Sequence, residues 1–424
     1  MFPKSISRRD DMHTNIYDKP RAAERTPSQK YLQKREQILE KAAQKFNTMG
    51  VRGATLADVA AEVELNLTSI RHYFQKKDDL VAACFLRSIE VHQERLDKSR
   101  KAGSPEARVR DLVHRYFEFR RRQRIGEHPE IIIFGDLRSL PEPYASEVWP
   151  KFVNLFRSVR ELVADAEEID GNRQRVNAKA HTVISQFMRS VFWLPEYEVA
   201  DFDRVEARFA DILINGLAAP GVEYRATMAH IEEEASPDKR SRESFLLAAT
   251  ELINEHGYRG ASVERIAAKL SVTKGSFYHH IDAKDDLVVE CFKRNTRLLQ
   301  QAQRNAIDSE ATGLGQASAA AAALVRRQQT AAGPLMRNSA LMSVDPDKRR
   351  DMLRQMDQVV DRFADMVADG IIDGSARAVD ARIAGQMLMA QVNSASELRA
   401  WVPDLTPDNS VELFVRPLFK GLFA

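Results

Sequence analysis

The chain holds 424 residues (48.0 kDa), 44% apolar and 29% charged, with a formal net charge of only +2. That is material for about two to four cored domains, and it excludes both a disordered acidic chain and a polycation, so any nucleic-acid contact must be a local arrangement of charge. Two cysteines exclude a disulfide-stapled secreted fold. The longest apolar runs, such as Ile131–Phe134 and Ala319–Val325, fall far short of the roughly 18 residues of a bilayer span, and the N-terminus has no apolar signal segment; a soluble cytoplasmic protein is expected.

In chain order, residues 1–30 are polar and basic (Arg8, Arg9, Lys19, Arg21, Arg25, Lys30) and read as a disordered arm. From there to residue 85, four short helices are predicted. Ile38, Leu39, Ala42, Ala43 and Phe46 form one apolar face, closed by Gly50 at a helix C-cap. Thr55 caps a short helix through Val63, Asn66 caps a third running to about Phe74, and Asp78 and Asp79 occupy the first turn of a fourth. Two short helices joined by a tight turn describe a helix-turn-helix over 31–85. Residues 86–217 read as a helical bundle, with stripes at Val109, Leu112, Val113, Tyr116 and Phe117 and at Phe152, Leu155, Phe156, Val159, Leu162 and Val163. Residues 218–240, with Pro220-Gly221, three glutamates at 232–234 and Ser236-Pro237, read as a linker.

The chain then repeats itself. Arg35–Phe85 and Arg242–Phe292, offset by 207 residues, align without a gap and share 20 of 51 positions, clustered at the same joints. These include Gly50/Gly257, Ala60-Ala61/Ala267-Ala268, Ser69/Ser276, His72/His279 and Lys77–Val81/Lys284–Val288. A second helix-turn-helix over 241–292, capped by Ser262 and Thr273, and a second bundle over 293–424 follow. Each unit ends in two apolar helices, Val176–Leu194 with Phe202–Leu217 and Val379–Trp401 with Val411–Phe423.

VTKGSFYHHIDAKDDL (272–287), and more loosely LNLTSIRHYFQKKDDL (65–80), resembles the recognition-helix signature of TetR-type transcriptional regulators. The resemblance implies an all-α fold of two tandem units, each a three-helix DNA-binding head with a helical ligand-binding and dimerisation bundle behind it. It also implies that the third helix of each head enters the major groove. Carried over, the DNA-facing positions are Thr273, Lys274, Gly275, Ser276, Tyr278 and His279, with Ser262 and Lys284 at phosphate-contacting ends. In the first head they are Asn66, Leu67, Thr68, Ser69, Arg71 and His72, with Thr55 and Lys77. Hydroxyls, lysines and helix N-termini suit phosphate; Arg, Asn and methyl groups suit base edges. The first head departs from the pattern, with Leu67 where lysine is common, Thr68 where glycine is and Arg71 where tyrosine is. This fits changed specificity or a head that mainly scaffolds; its intact packing residues Ile70, Phe74 and Leu80 favour the former.

The resemblance further implies a small-molecule effector, and aromatic residues of the first bundle are candidates to line its pocket: Phe117, Phe134, Trp149, Phe152, Phe156, Phe187 and Trp193, besides Phe119 and Phe192. The effector is expected to be apolar or aromatic, although a plain core explains any one of these residues as well. The partners expected are operator DNA and this effector, with no membrane, and the unit-ending helices pair within one chain or in a homodimer. No metal site is expected, because the histidines have no His/Cys cluster at ligand spacing, and no cofactor or catalytic constellation is visible. Cys84 and Cys291 are equivalent and read as buried apolar residues, and Gly313-Leu314-Gly315 reads as a helix lead-in. The competing reading is an effector-binding or scaffold protein of the same fold whose heads no longer bind DNA.

Overall fold

The computed structural model describes residues 28–224, 227–231, 237–273, 284–337, 340–341, 344 and 346–424. The predicted basic arm lies outside them except for residues 28–30. Among the described residues the chain is helical, with no strand beyond one antiparallel bridge, Ala218 to Ala376, and no helix long and apolar enough to cross a membrane.

The first head comprises α1 (Gln29–Gly53), α2 (Leu56–Glu62), α3 (Leu67–Arg71) and the start of α4 (Lys77–Ser99). Gly50 breaks α1 at φ 71°, in the left-handed region, which is the conformation expected of a terminating glycine; α1 resumes for one short turn beyond it. Thr55 and Asp58 cap α2 reciprocally, and the Ser69 amide donates to Asn66 Oδ1 at 2.7 Å to start α3. Ile38, Leu39, Val59, Ile70, Leu80 and Phe85 meet in the core between these helices.

The second head has α10 (Pro237–Gly260) and α11 (Val263–Lys269). Helix α10 breaks at Gly257 with φ 70°, matching Gly50. After α2 and α11 the chain turns through a left-handed residue, Glu64 at φ 54° and Ser271 at φ 57°. Each turn is then tied back, Leu65 N to Ala60 O at 2.9 Å and Val272 N to Ala267 O at 3.0 Å. A brace between first and second helix is also repeated with its charges exchanged: Lys45 to Glu62 at 2.7 Å, Glu251 to Lys269 at 2.7 Å.

Behind the first head stand α5 (Pro105–Arg124), α6 (Tyr144–Val163), α7 (Ala166–Gly171), α8 (Arg173–Trp193) and α9 (Phe202–Asn215). Behind the second stand α12 (Lys284–Ser309), α13 (Gly313–Arg327), α14 (Pro346–Asp373), α15 (Ala381–Ser394), α16 (Leu398–Trp401), α17 (Pro407–Ser410) and α18 (Arg416–Lys420), with a π-turn at Val411–Val415 joining the last two.

The two bundles join where α8 and α9 meet α15 and the C-terminal stretch. The seam is apolar with a buried polar thread. Gln186 Nε2 donates to Met387 O at 3.0 Å and to Gln391 Oε1 at 3.1 Å, and Gln391 Nε2 donates to Thr182 Oγ1 at 3.1 Å. At its end Gly216 and Gly421 pass with their backbones in contact, and Leu217 N and Ala218 N both donate to Phe419 O, at 3.0 and 2.8 Å.

Candidate nucleic-acid interface and ligand cavity

In the first head, packing decides which side of α3 is free. Ile70 and Phe74 are buried, so Asn66, Leu67, Thr68, Arg71 and His72 project outward and Ser69 is half-buried. Leu67 is 40% exposed at the first position of α3, and a contact to a thymine methyl requires such exposure. Arg71 makes no ion pair with any described residue. Two expected contacts are partly committed elsewhere. Asn66 Oδ1 caps α3, which leaves its amide nitrogen for DNA, and the exposed Thr55 hydroxyl donates to Asp58 Oδ2 at 2.7 Å. Hydrogen bonds from Thr55 hold the Asp58 carboxyl below its usual range. Lys77 is half-buried at the first position of α4.

In the second head, Ser262 caps α11 through Arg265 N at 3.2 Å, and Thr273 is exposed at the end of the turn. Lys274, Gly275, Ser276, Tyr278 and His279 lie outside the described residues; Lys284 opens α12, with its side chain likewise outside them.

Behind the first head are two neighbouring cavities, of about 190 and 90 Å³. They share Ile132, Ile133, Phe134, Phe152, Phe156, Ile184 and Met188 as walls. Of the expected aromatic residues, Phe134, Trp149, Phe152, Phe156 and Phe187 line one or both, as do Phe119 and Phe192. Phe117 and Trp193 do not. Phe117 packs between Tyr116, Phe202 and Phe209, and Trp193 against Tyr197 and Phe209, because their faces of α5 and α8 turn toward α9.

The larger cavity is closed by the second unit. Trp401 stacks on Phe156 with ring centroids 4.0 Å apart, and Arg337, Asn393 and Glu397 complete the wall. Glu397 lies 3.2 Å from Arg337 and 4.0 Å from Arg138. The smaller cavity is apolar except at one end, where His92, Arg95 and Arg120 stand.

The cavity wall is tied to both heads by duplicated asparagines. Asn47 of α1 donates to Ile131 O and accepts from Ile133 N, both at 2.9 Å. Asn254 of α10 donates to Leu335 O at 2.8 Å and accepts from Arg337 N at 2.9 Å. Alongside, Ser88 Oγ donates to Ile132 O at 3.0 Å and Asn295 Nδ2 to Met336 O at 2.9 Å. Asn47 itself lines the larger cavity.

The family model for bacterial regulatory proteins of the tetR family matches residues 38–84 and again 245–291. Each head therefore carries the tetR-family domain, once per repeat. The Tn10 TetC protein of Escherichia coli is 39% identical over 56 residues, 13% of this chain and 28% of TetC, so the chain spans under a third of that relative's length. Among solved structures, apo AibR (TM-score 0.36) and the regulator PfmR from Thermus thermophilus (TM-score 0.35) are each 21% identical, with 42% of this chain and 98% of theirs aligned.

Two imidazoles border these cavities, the half-buried His92 and the buried His181. Burial pushes His92 well below the usual histidine range, helped by the charges of Arg95 and Arg120, and burial also lowers His181. Because Arg95 Nη2 can only donate, the 2.6 Å contact makes His92 Nδ1 an acceptor and the ring neutral. A base whose folded pKa is depressed stabilises the fold above its unfolded value. As pH falls below about 6.5 the unfolded chain takes up protons that the folded chain refuses, at up to about 1.4 kcal/mol per pH unit per group. Urea unfolding should therefore show stability falling from pH 7 to 5.5, with a shallower fall in His92→Gln; equal slopes would mean that His92 titrates normally.

Proposed function

We propose that the chain is a ligand-responsive transcriptional regulator that sets two unlike heads on one asymmetric operator as an intrachain pseudo-dimer. In this reading 31–85 and 241–292 are the heads, 86–217 and 293–424 the regulatory bundles, and 218–240 the connection. The DNA-facing residues are Asn66, Leu67, Thr68, Ser69, Arg71 and His72 in the first head and Thr273, Lys274, Gly275, Ser276, Tyr278 and His279 in the second, while Thr55, Lys77, Ser262 and Lys284 hold phosphates. The carrying observation is the seam: the unit-ending helices α8 and α9 pack on α15 and the C-terminal stretch of the same chain, where a homodimer would use a second copy. Operator symmetry mirrors protein symmetry, and these heads differ at 31 of their 51 aligned positions.

An apolar or aromatic effector in the cavities would act through the two asparagine clamps. It presses on Ile131–Ile133, held by α1, and on Arg337, held by α10, and so biases both heads; a coupling of about 1–3 kcal/mol is the usual scale. Footprinting on the DNA upstream of the protein's own gene, with native mass determination of the complex, tests the proposal. The expected result is one chain on a non-palindromic site, with affinity falling steeply as salt rises. A perfect palindrome carrying two chains would overturn the intrachain pairing. Effector binding without any DNA affinity would favour the scaffold reading.

A further inference from the structure

Arg95 is a charge the fold does not require. It stands on α4, 8% exposed, at the end of the smaller cavity, and among the described residues no carboxylate lies within 4.0 Å of it. Its only hydrogen-bond partner among them is the neutral His92 ring at 2.6 Å, and its guanidinium carbon sits 3.8 Å from the centre of the Phe119 ring. The other deeply buried guanidinium of this helix pair, Arg294, is answered by Glu243 and two backbone carbonyls. In the wall of the larger cavity Arg138 and Arg337 share Glu397.

The internal repeat supplies a control. In the gap-free register of the two units, His92 corresponds to Leu299 and Arg95 to Ala302. Both are fully buried core residues of α12. A helix at this place therefore packs without charge, whereas the first unit keeps a guanidinium beside an apolar cavity and leaves it without a counter-ion. An unpaired buried charge is costly, and an anion entering the chamber relieves that cost.

We propose that the chamber takes an apolar carboxylic acid, aryl or acyl, one per chain, with its carboxylate on Arg95 and its hydrophobic body running along Phe134, Phe152 and Phe156 toward Trp401. Arg120 lines the same end and supplies a second cation, already bonded to Gln123 Oε1 at 2.8 Å. The walls of the smaller cavity argue against an inorganic anion as the natural occupant, since beyond His92 and the guanidiniums they are mainly aliphatic and aromatic carbon. The proposal rests on the effector reading above for its biological meaning, but its chemistry is tested without DNA.

The probes are 4-phenylbutyrate and decanoate, each against its neutral alcohol, 4-phenylbutan-1-ol and decan-1-ol, titrated calorimetrically into the full chain with tryptophan fluorescence reporting on Trp149 and Trp401. At least one acid should bind with a stoichiometry of one, and its alcohol about 10- to 100-fold more weakly, the worth of a charge-assisted hydrogen bond. Arg95→Met should weaken the acid by a similar factor and leave the alcohol unchanged. Its thermal midpoint should hold or rise, as the apolar second unit implies; if it fails to fold, Arg120→Met reads the same discrimination at the same end. Acid and alcohol binding alike, native acid affinity in Arg95→Met, or no binding of either acid at millimolar concentration would each overturn the proposal. Acid that binds but never releases DNA would defeat the regulatory reading and leave this one standing.

Discussion

Gly216→Val should open the seam between the two units and lower stability by about 3–5 kcal/mol, with most of the loss coming from backbone overlap. Gly216 has φ +74°, and a Cβ there would lie 2.4 Å from Gly421 N and 2.5 Å from Phe419 O. Neither is a side-chain end that can swing aside. The reciprocal contact is as close, since a Cβ on Gly421 would fall 2.3 Å from Ile214 O. To admit the valine the strands of chain must part, which breaks the bonds from Leu217 N and Ala218 N to Phe419 O and from Arg377 N to Leu217 O at 2.8 Å. Gly221→Ala separates strain from overlap: its φ is +82° but nothing lies within 4 Å of the added Cβ, so it should cost only about 1–2 kcal/mol. Denaturation midpoints of the two variants give the comparison. If the proposed operator binding is right, the valine variant should also lose the benefit of engaging both heads together, about 10²- to 10⁴-fold in apparent affinity. A Gly216→Val protein within about 1 kcal/mol of native would mean that the seam is loose.

How far residues announce this arrangement depends on whether their cause is local. Caps are local: Thr55, Asn66 and Ser262 were legible because a hydroxyl or amide before an apolar run satisfies the first free amides. The end of α3 was less so. Periodicity carries through Phe74, but the helix stops at Arg71 and turns through His72 and Tyr73, since the apolar spacing is the same for a helix and for a tight turn that buries Phe74. Pro237, expected within the linker, begins α10 instead; proline suits the first turn of a helix as well as a loop. The cavity was harder still. Phe117 and Phe119 sit on one helix with similar sequence surroundings, and only the position of α9 makes the first core and the second wall. Trp401, Arg337 and Glu397 reach the cavity across the seam, and no spacing within one unit encodes that. The clamps Asn47 and Asn254 did leave a trace, as an asparagine identical at offset 207, three residues before the glycine that breaks each first helix.

The same duplication sets the second large effect. Arg294→Met should destabilise the second unit by about 3 kcal/mol, whereas Arg87→Met, its counterpart, should cost about 1 kcal/mol. Both arginines bridge the first and fourth helices of their heads to the extended segment that the asparagines clamp. Arg294 has no exposed side-chain surface and donates to Glu243 Oε1 at 2.5 Å, Pro334 O at 3.2 Å and Ala332 O at 3.1 Å. Methionine fills the volume but leaves two carbonyls and a carboxylate short of a donor. Arg297, 3.0 Å from Glu243, holds the carboxylate in part and keeps the loss at the lower end of the range for a broken buried pair. Arg87 pairs with Glu36, whose side chain is 52% exposed, so water replaces the guanidinium there. Adding Glu243→Leu to Arg294→Met should restore part of the stability, because no buried carboxylate is then left short of its partner and Arg297, which loses Glu243, is half exposed and solvated. Hydrogen exchange at Leu335–Arg337 should quicken in Arg294→Met while Ile131–Ile133 stays protected. Equal exchange in the two segments would mean that the heads are not anchored separately, and that the bundle transmits a change in one clamp to the other.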